Sequence, residues 1–494
     1  MAAQKLVTKS VSWAVALALA LLPLAVAAAP AANPRAPARI PAAVVELQRA
    51  ALAGTGAADL ARALATEAGP RLAGSEGLAR GVAWGLRTLA ELGFENVRAE
   101  PVTVPHWERG TASGEIVAPF PQIVALAALG GSIGTVEAGI EAEVVATENL
   151  ETLAKLPPDA VRGKIVYFGE RMQRTRDGAG YGKTVPIRSK GPAEAAKLGA
   201  IAVLVRSVGT DSNRLPHTGT TTYEEGGAKI PAAALSAPDA DLLEQEVLSG
   251  RPVRFRLRLG CRVLPDAETA NVVGELRGRE RPLEIVVLSG HLDSWDLGTG
   301  ALDDAAGVGN AIMAARLISE LPQRPRRTVR IVLYANEEFG LSGGKAYAAA
   351  HADEAAQHQA ALESDLGSGR IFRLRTAFAA DDAAFAEELA RALAPLGVEL
   401  DAATHATGGA DVGPLAPAGV PMVDLAHDVT TYFDFHHTAN DTADKLVPAD
   451  MAQATAAFAT AAWMLAEHPN LLHRNPLAAP APIAPLAPAP PKRP

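Results

Sequence analysis

The segment LEIVVLSGHLDSWDLGTGALDDAAGVGNA, residues 283–311, constrains this chain more than any other. An apolar run of strand character ends in His291 and Asp293, and a Gly-rich turn later Asp303 and Asp304 open an amphipathic, helix-like run. The construction recurs along the chain. RTVRIVLYANEEFG (327–340) runs a strand into Glu337 and Glu338, and QAALESDLG (359–367) runs a shorter one into Glu363 and Asp365. After VPMVDLA (420–426) comes YFDFHHTANDT (432–442), with His436, His437 and Asp441.

The spacing predicts strands at 283–289, 328–335, 360–364 and 420–425, and helices at about 304–321, 343–351, 383–395 and 449–467. Strands alternating with helices imply an α/β fold, a mostly parallel mixed sheet flanked by helices on both faces. Such sheets bind ligands outside the carboxyl ends of their strands. Four strand ends therefore deliver imidazoles and carboxylates to one edge.

Taken singly, each group has an ordinary explanation. A lone histidine at a strand end is most often a hydrogen-bonded loop residue, and Asp303-Asp304 could simply cap the following helix. Together they would repel one another strongly unless cations sat among them, because buried charges must be paired or bound to metal. Mixed imidazole and carboxylate donors suit Zn²⁺ better than Ca²⁺ or Mg²⁺, and five donors exceed what one catalytic zinc uses. Two metals sharing a bridging aspartate fit the count.

The motifs GHLDSWD with GALDD, NEEFG, ESDLG and HHTANDT together resemble the co-catalytic di-zinc aminopeptidase family M28, most of all its carboxypeptidase Q branch. The resemblance covers nearly the whole mature chain. It implies that His291 and Asp365 are terminal ligands of one zinc, that Glu338 and His437 are those of the other, and that Asp303 is the bridge. It further implies Glu337 as general base, a cis peptide at Asp303-Asp304, Asp293 orienting the His291 ring, and His436 near a developing oxyanion. Unblocked dipeptides or short peptides are the implied substrates, and a homodimer the implied assembly. A glutaminyl cyclase on the same scaffold is the first alternative, but it typically carries one zinc. A receptor-like protein that lost catalysis is the second, yet no ligand is replaced here.

The rest of the chain frames this centre. Its 494 residues suffice for two or three domains, and a net charge of −9 argues against a surface that must neutralise nucleic-acid phosphates. Lys5 and Lys9, an apolar run from about Val11 and small residues at Ala27 to Ala29 read as a signal peptide over 1–29, hence a secreted or periplasmic protein. No later segment is long and apolar enough to span a bilayer. The single cysteine, Cys261, rules out an intrachain disulfide. The catalytic domain is expected over 34–132 and 254–470. Between them, 133–253 carries short strands and turns whose order resembles an inserted protease-associated domain. The Pro/Ala-rich tail, 475–494, lies outside the fold.

Overall fold

The apolar runs of the C-terminal half become the centre of an eight-stranded sheet in the computed structural model, which describes residues 39–54 and 56–474. The expected signal segment and Pro/Ala-rich tail lie outside the described residues. The strand order is Glu95–Glu108, Arg262–Leu276, Arg327–Tyr334, Arg281–His291, His358–Glu363, Met422–His427, Ile371–Ala377, Glu399–Leu400. The four central strands from Arg327–Tyr334 to Met422–His427 run parallel to their neighbours, and antiparallel partners flank them. Every residue of Arg327–Tyr334 and His358–Glu363 is buried, as expected of parallel strands covered on both faces.

Alternation along each strand divides the core. Val286, Leu288, Val329, Ile331 and Leu333 enter one cluster with helices Ala57–Glu67, Glu76–Glu91, Ala306–Ser319 and Pro448–Glu467. Ile285, Val287, Val332 and Tyr334 enter another with Tyr347 of helix Ser342–Ala350 and with Leu415. The register pairs His291 with Tyr334 and Ser289 with Glu363, so neighbouring strand ends emerge at one level. The four strands and four helices expected from spacing are present at Arg281–His291, Arg327–Tyr334, His358–Glu363 and Met422–His427, and at Ala306–Ser319, Ser342–Ala350, Ala383–Leu393 and Pro448–Glu467.

A second eight-stranded sheet is built from residues 112–259, with parallel pairing through Ile140–Thr147, Ile165–Phe168, Ala202–Arg206 and Ala232–Leu235. It is wider than the expected 133–253 segment. Gln122–Val124, Ala112–Ala118 and Arg254–Leu259 extend it on one side, and Leu126–Ala128 closes the other edge. Trp107 and Trp295 share a hydrophobic cluster with Tyr167, Phe255 and Leu257 of this sheet, which ties it to the loop after His291.

That loop is held from below by Arg71, which is wholly buried. Its guanidinium donates to the carbonyls of Leu292 (2.6 Å), Gly69 (2.9 Å), Thr299 (2.6 Å) and Gly300 (2.8 Å). Burial, only partly offset by Asp441 and Asp293, lowers its pKa to about 10. Arg71→Leu leaves these carbonyls unsatisfied and is expected to cost about 3 kcal/mol or more, read from urea unfolding. A loss below about 1 kcal/mol would show that the loop holds itself.

Candidate metal centre

His291 is the last residue of its strand, and Asp303 lies in the tight turn Ala301–Ala305 that leads into helix Ala306–Ser319. The Asp303-Asp304 peptide is cis. Asp303 divides its carboxylate between two histidines. Oδ1 lies 3.2 Å from His291 Nε2, and Oδ2 lies 3.2 Å from His437 Nε2. Asp365 Oδ1 approaches His291 Nε2 at 3.7 Å, and Glu338 Oε2 approaches His437 Nε2 at 3.0 Å. All five expected donors thus converge as two sets of three that share Asp303.

The donor chemistry fits zinc. His291 Nδ1 faces the Asp293 carbonyl at 3.1 Å, and His437 Nδ1 faces the Thr218 carbonyl at 3.1 Å. A carbonyl can only accept, so each Nδ1 carries the proton and each Nε2 keeps its lone pair for a metal. His291 Nε2 and Glu338 Oε1 are buried and make no hydrogen bond. Burial pushes Glu338 well above the usual carboxylate range, with Asp303 adding like charge. A divalent cation is what lets such groups ionise side by side.

Glu337 takes no part in either set. It lines a cavity of about 270 Å³ with Asp303, Glu338, Asp365, His436 and His437. Burial pushes it well above its usual range; His291 opposes that, while Asp365 and Glu338 reinforce it. His436 stacks on His437, with ring centroids 3.5 Å apart, and its Nε2 lies 3.6 Å from Asp303 Oδ2. Burial and then the adjacent His437 hold His436 well below the ordinary imidazole value.

Asp293 does more than the sequence suggests. Its carbonyl meets the His291 ring, whereas its carboxylate accepts from the main-chain N–H groups of Glu337 (2.9 Å) and Glu338 (3.1 Å). It therefore fixes the glutamate corner directly. The other strand-end acids also shape backbone. Asp304 accepts from His291 N and Gly307 N, Asp441 from Leu302 N and Asp303 N, and Glu363 from Asp411 N.

The sequence reading missed what the second-sheet region contributes. Thr220 Oγ1 donates to the Glu338 carbonyl (2.6 Å), and Thr218 holds His437. His217 sits between Asp211 (2.8 Å) and the His436 carbonyl (2.7 Å). The only signal was the polar run PHTGTTTY (216–223), which reads as a loop.

The Peptidase family M28 profile matches residues 271–462. Bovine (Bos taurus) carboxypeptidase Q is 37% identical over 409 residues, covering 82% of this chain and 84% of the relative. The chain belongs to peptidase family M28. A solved M28 peptidase precursor from Shewanella amazonensis SB2B is 42% identical and superposes with a TM-score of 0.86 over 88% of this chain and 98% of that one. A zinc aminopeptidase from Bacillus subtilis shares the fold, with a TM-score of 0.60 at 18% identity over 88% of this chain and 100% of that one. This M28 protein is an enzyme, a peptidase.

Proposed function

We propose that this M28 enzyme is exported and hydrolyses free dipeptides and short unblocked peptides, with two zinc ions sharing Asp303. The observation that carries the reading is the division of the Asp303 carboxylate, one oxygen toward His291 and the other toward His437. His291 and Asp365 would complete one zinc site, and His437 and Glu338 the other. Zinc held there supplies Lewis acidity toward a peptide carbonyl and lowers the pKa of water toward about 7.

The side chains supply the rest. Glu337, unattached to either donor set, accepts the proton of the attacking water and returns it to the leaving nitrogen as the C–N bond breaks. Asp293 keeps Glu337 in reach through the N–H bonds it accepts. Neutral His436, beside Asp303 on the cavity wall, is placed to donate to the oxygen that gains charge. A cavity of about 270 Å³ beside these groups has room for a short substrate.

Carboxypeptidase Q as a relative supports an exopeptidase, and the Lys-then-apolar N-terminus supports export. No helix of the described residues is long and apolar enough to cross a membrane. We also propose that residues 133–253 form the core of a protease-associated module, and that the enzyme works as a homodimer.

The test is a panel of free, N-acetylated and longer blocked peptides given to the zinc-loaded enzyme. Free dipeptides are expected to be cut and chelation to abolish the activity, with N-acetylated analogues slower by at least about tenfold if the amine is read. Internal cleavage of a blocked decapeptide at a comparable rate would refute the exopeptidase specificity and leave the metal chemistry standing.

A further inference from the structure

The two histidine donors are seated differently. His291 ends a buried central strand, so the sheet itself fixes its backbone. His437 lies in a turn at φ 62°, a left-handed conformation uncommon outside glycine that surrounding structure must hold. The hold comes from the second-sheet region. His217 Nδ1 donates to the His436 carbonyl (2.7 Å), and the Thr218 N–H donates to the His437 carbonyl (3.1 Å). Consecutive residues of one segment thus fix the peptide planes on either side of the His437 Cα, and the orientations of those planes are its φ and ψ.

The His217 ring is locked in turn. It is wholly buried, and its own N–H donates to Ser207 Oγ (2.8 Å), which donates to the Leu235 carbonyl (2.6 Å) on strand Ala232–Leu235. Gly209 leaves no slack, because a Cβ there would stand 2.2 Å from His217 Cε1. His217 Nε2 lies 2.8 Å from Asp211 Oδ1, while Asp211 Oδ2 accepts from Asn213 N (2.8 Å). A carbonyl and a carboxylate both accept, so the ring donates at each nitrogen. Burial raises the Asp211 carboxyl, but His217 and Asn213 together outweigh it and hold the group below the usual carboxylate range. Farther along the same segment, Thr220 Oγ1 donates to the carbonyl of Glu338, the other terminal donor of the His437 set (2.6 Å).

We propose that Asp211 and His217 are positioning residues for the metal centre: with Thr218 they hold the His436–His437 turn in the form that aims His437 at Glu338 and Asp303, so that the second-sheet region completes one of the two donor sets. This rests on the reading above of His437 as a zinc donor.

The experiment measures zinc retained after dialysis against a weak chelator, with kcat and Tm, for His217→Gln, His217→Asn and Asp211→Asn. The Asn amide stands as many bonds from Cβ as Nδ1 does and can still donate to the His436 carbonyl, whereas the Gln amide matches Nε2 and keeps only the Asp211 contact. His217→Gln is expected to fall from two zinc ions per chain toward one, its affinity at the weakened site lower by at least about tenfold, with kcat falling in step. His217→Asn should recover most of that zinc, and Asp211→Asn should fall between them. A role in packing alone would lower Tm in both His217 variants without separating their zinc contents. That outcome, or wild-type zinc content in His217→Gln, overturns the assignment. Hydrogen exchange of the unsubstituted enzyme decides even where a variant fails to fold. Because metal and clamp must stabilise each other, stripping zinc should speed amide exchange in 208–222 by at least about tenfold and leave strand Ile165–Phe168 unchanged. Equal exchange in 208–222 with and without zinc overturns the proposal while the two-zinc reading stands. A wild type that holds a single zinc overturns that reading, and the proposal with it.

Discussion

Glu337→Gln is expected to leave zinc binding intact and to lower kcat by about 10²-fold or more, because it removes the proton carrier and no metal donor. The substitution is nearly isosteric, and the contact that fixes this corner uses the Glu337 main-chain N–H rather than its side chain. Adjacent Glu338 supplies the contrast. Its Oε2 lies 3.0 Å from His437 Nε2, so Glu338→Gln should lose metal together with activity. Zinc content and kcat measured on both proteins separate the roles, and the reverse pattern would exchange them.

Asp303→Ala should be the most damaging change to the centre, since one side chain serves both donor sets. Dialysed protein is expected to retain less zinc than Asp293→Ala, where a supporting carboxylate is lost and affinity falls by about 10 to 100-fold. The Asp293 carboxylate accepts from the Glu337 and Glu338 N–H groups and lies 3.5 Å from His291 Nδ1, so its removal loosens the glutamate corner and the His291 ring without deleting a ligand. Equal zinc loss in the two variants would show that Asp303 is an ordinary terminal ligand. Metal analysis after dialysis against a weak chelator gives the answer.

The central sheet and the convergence of the five expected donors were legible because charge interrupts apolar runs at strand ends. His291, Glu337 and Asp365 each stand where a buried strand stops, and that contrast survives in the sequence. The wider second sheet was less legible. Gln122–Val124 and Leu126–Ala128 are too short to show a period of two, and Arg254–Leu259 pairs with strands more than a hundred residues earlier. The support of His437 by Thr218 crosses 219 residues and runs through a main-chain carbonyl, which no side-chain pattern records. The acids Asp304, Asp441 and Glu363 carry the opposite lesson. Residue type placed them at the site, yet hydrogen bonds to backbone occupy them.

The shared-aspartate centre is tested most directly by restoring zinc stepwise to the chelator-stripped enzyme while bound metal and dipeptide hydrolysis are followed together. Full activity is expected only as the second equivalent binds, ending at two zinc ions per chain. Full activity at one zinc per chain, with no further gain on adding more, would contradict the bridging role of Asp303.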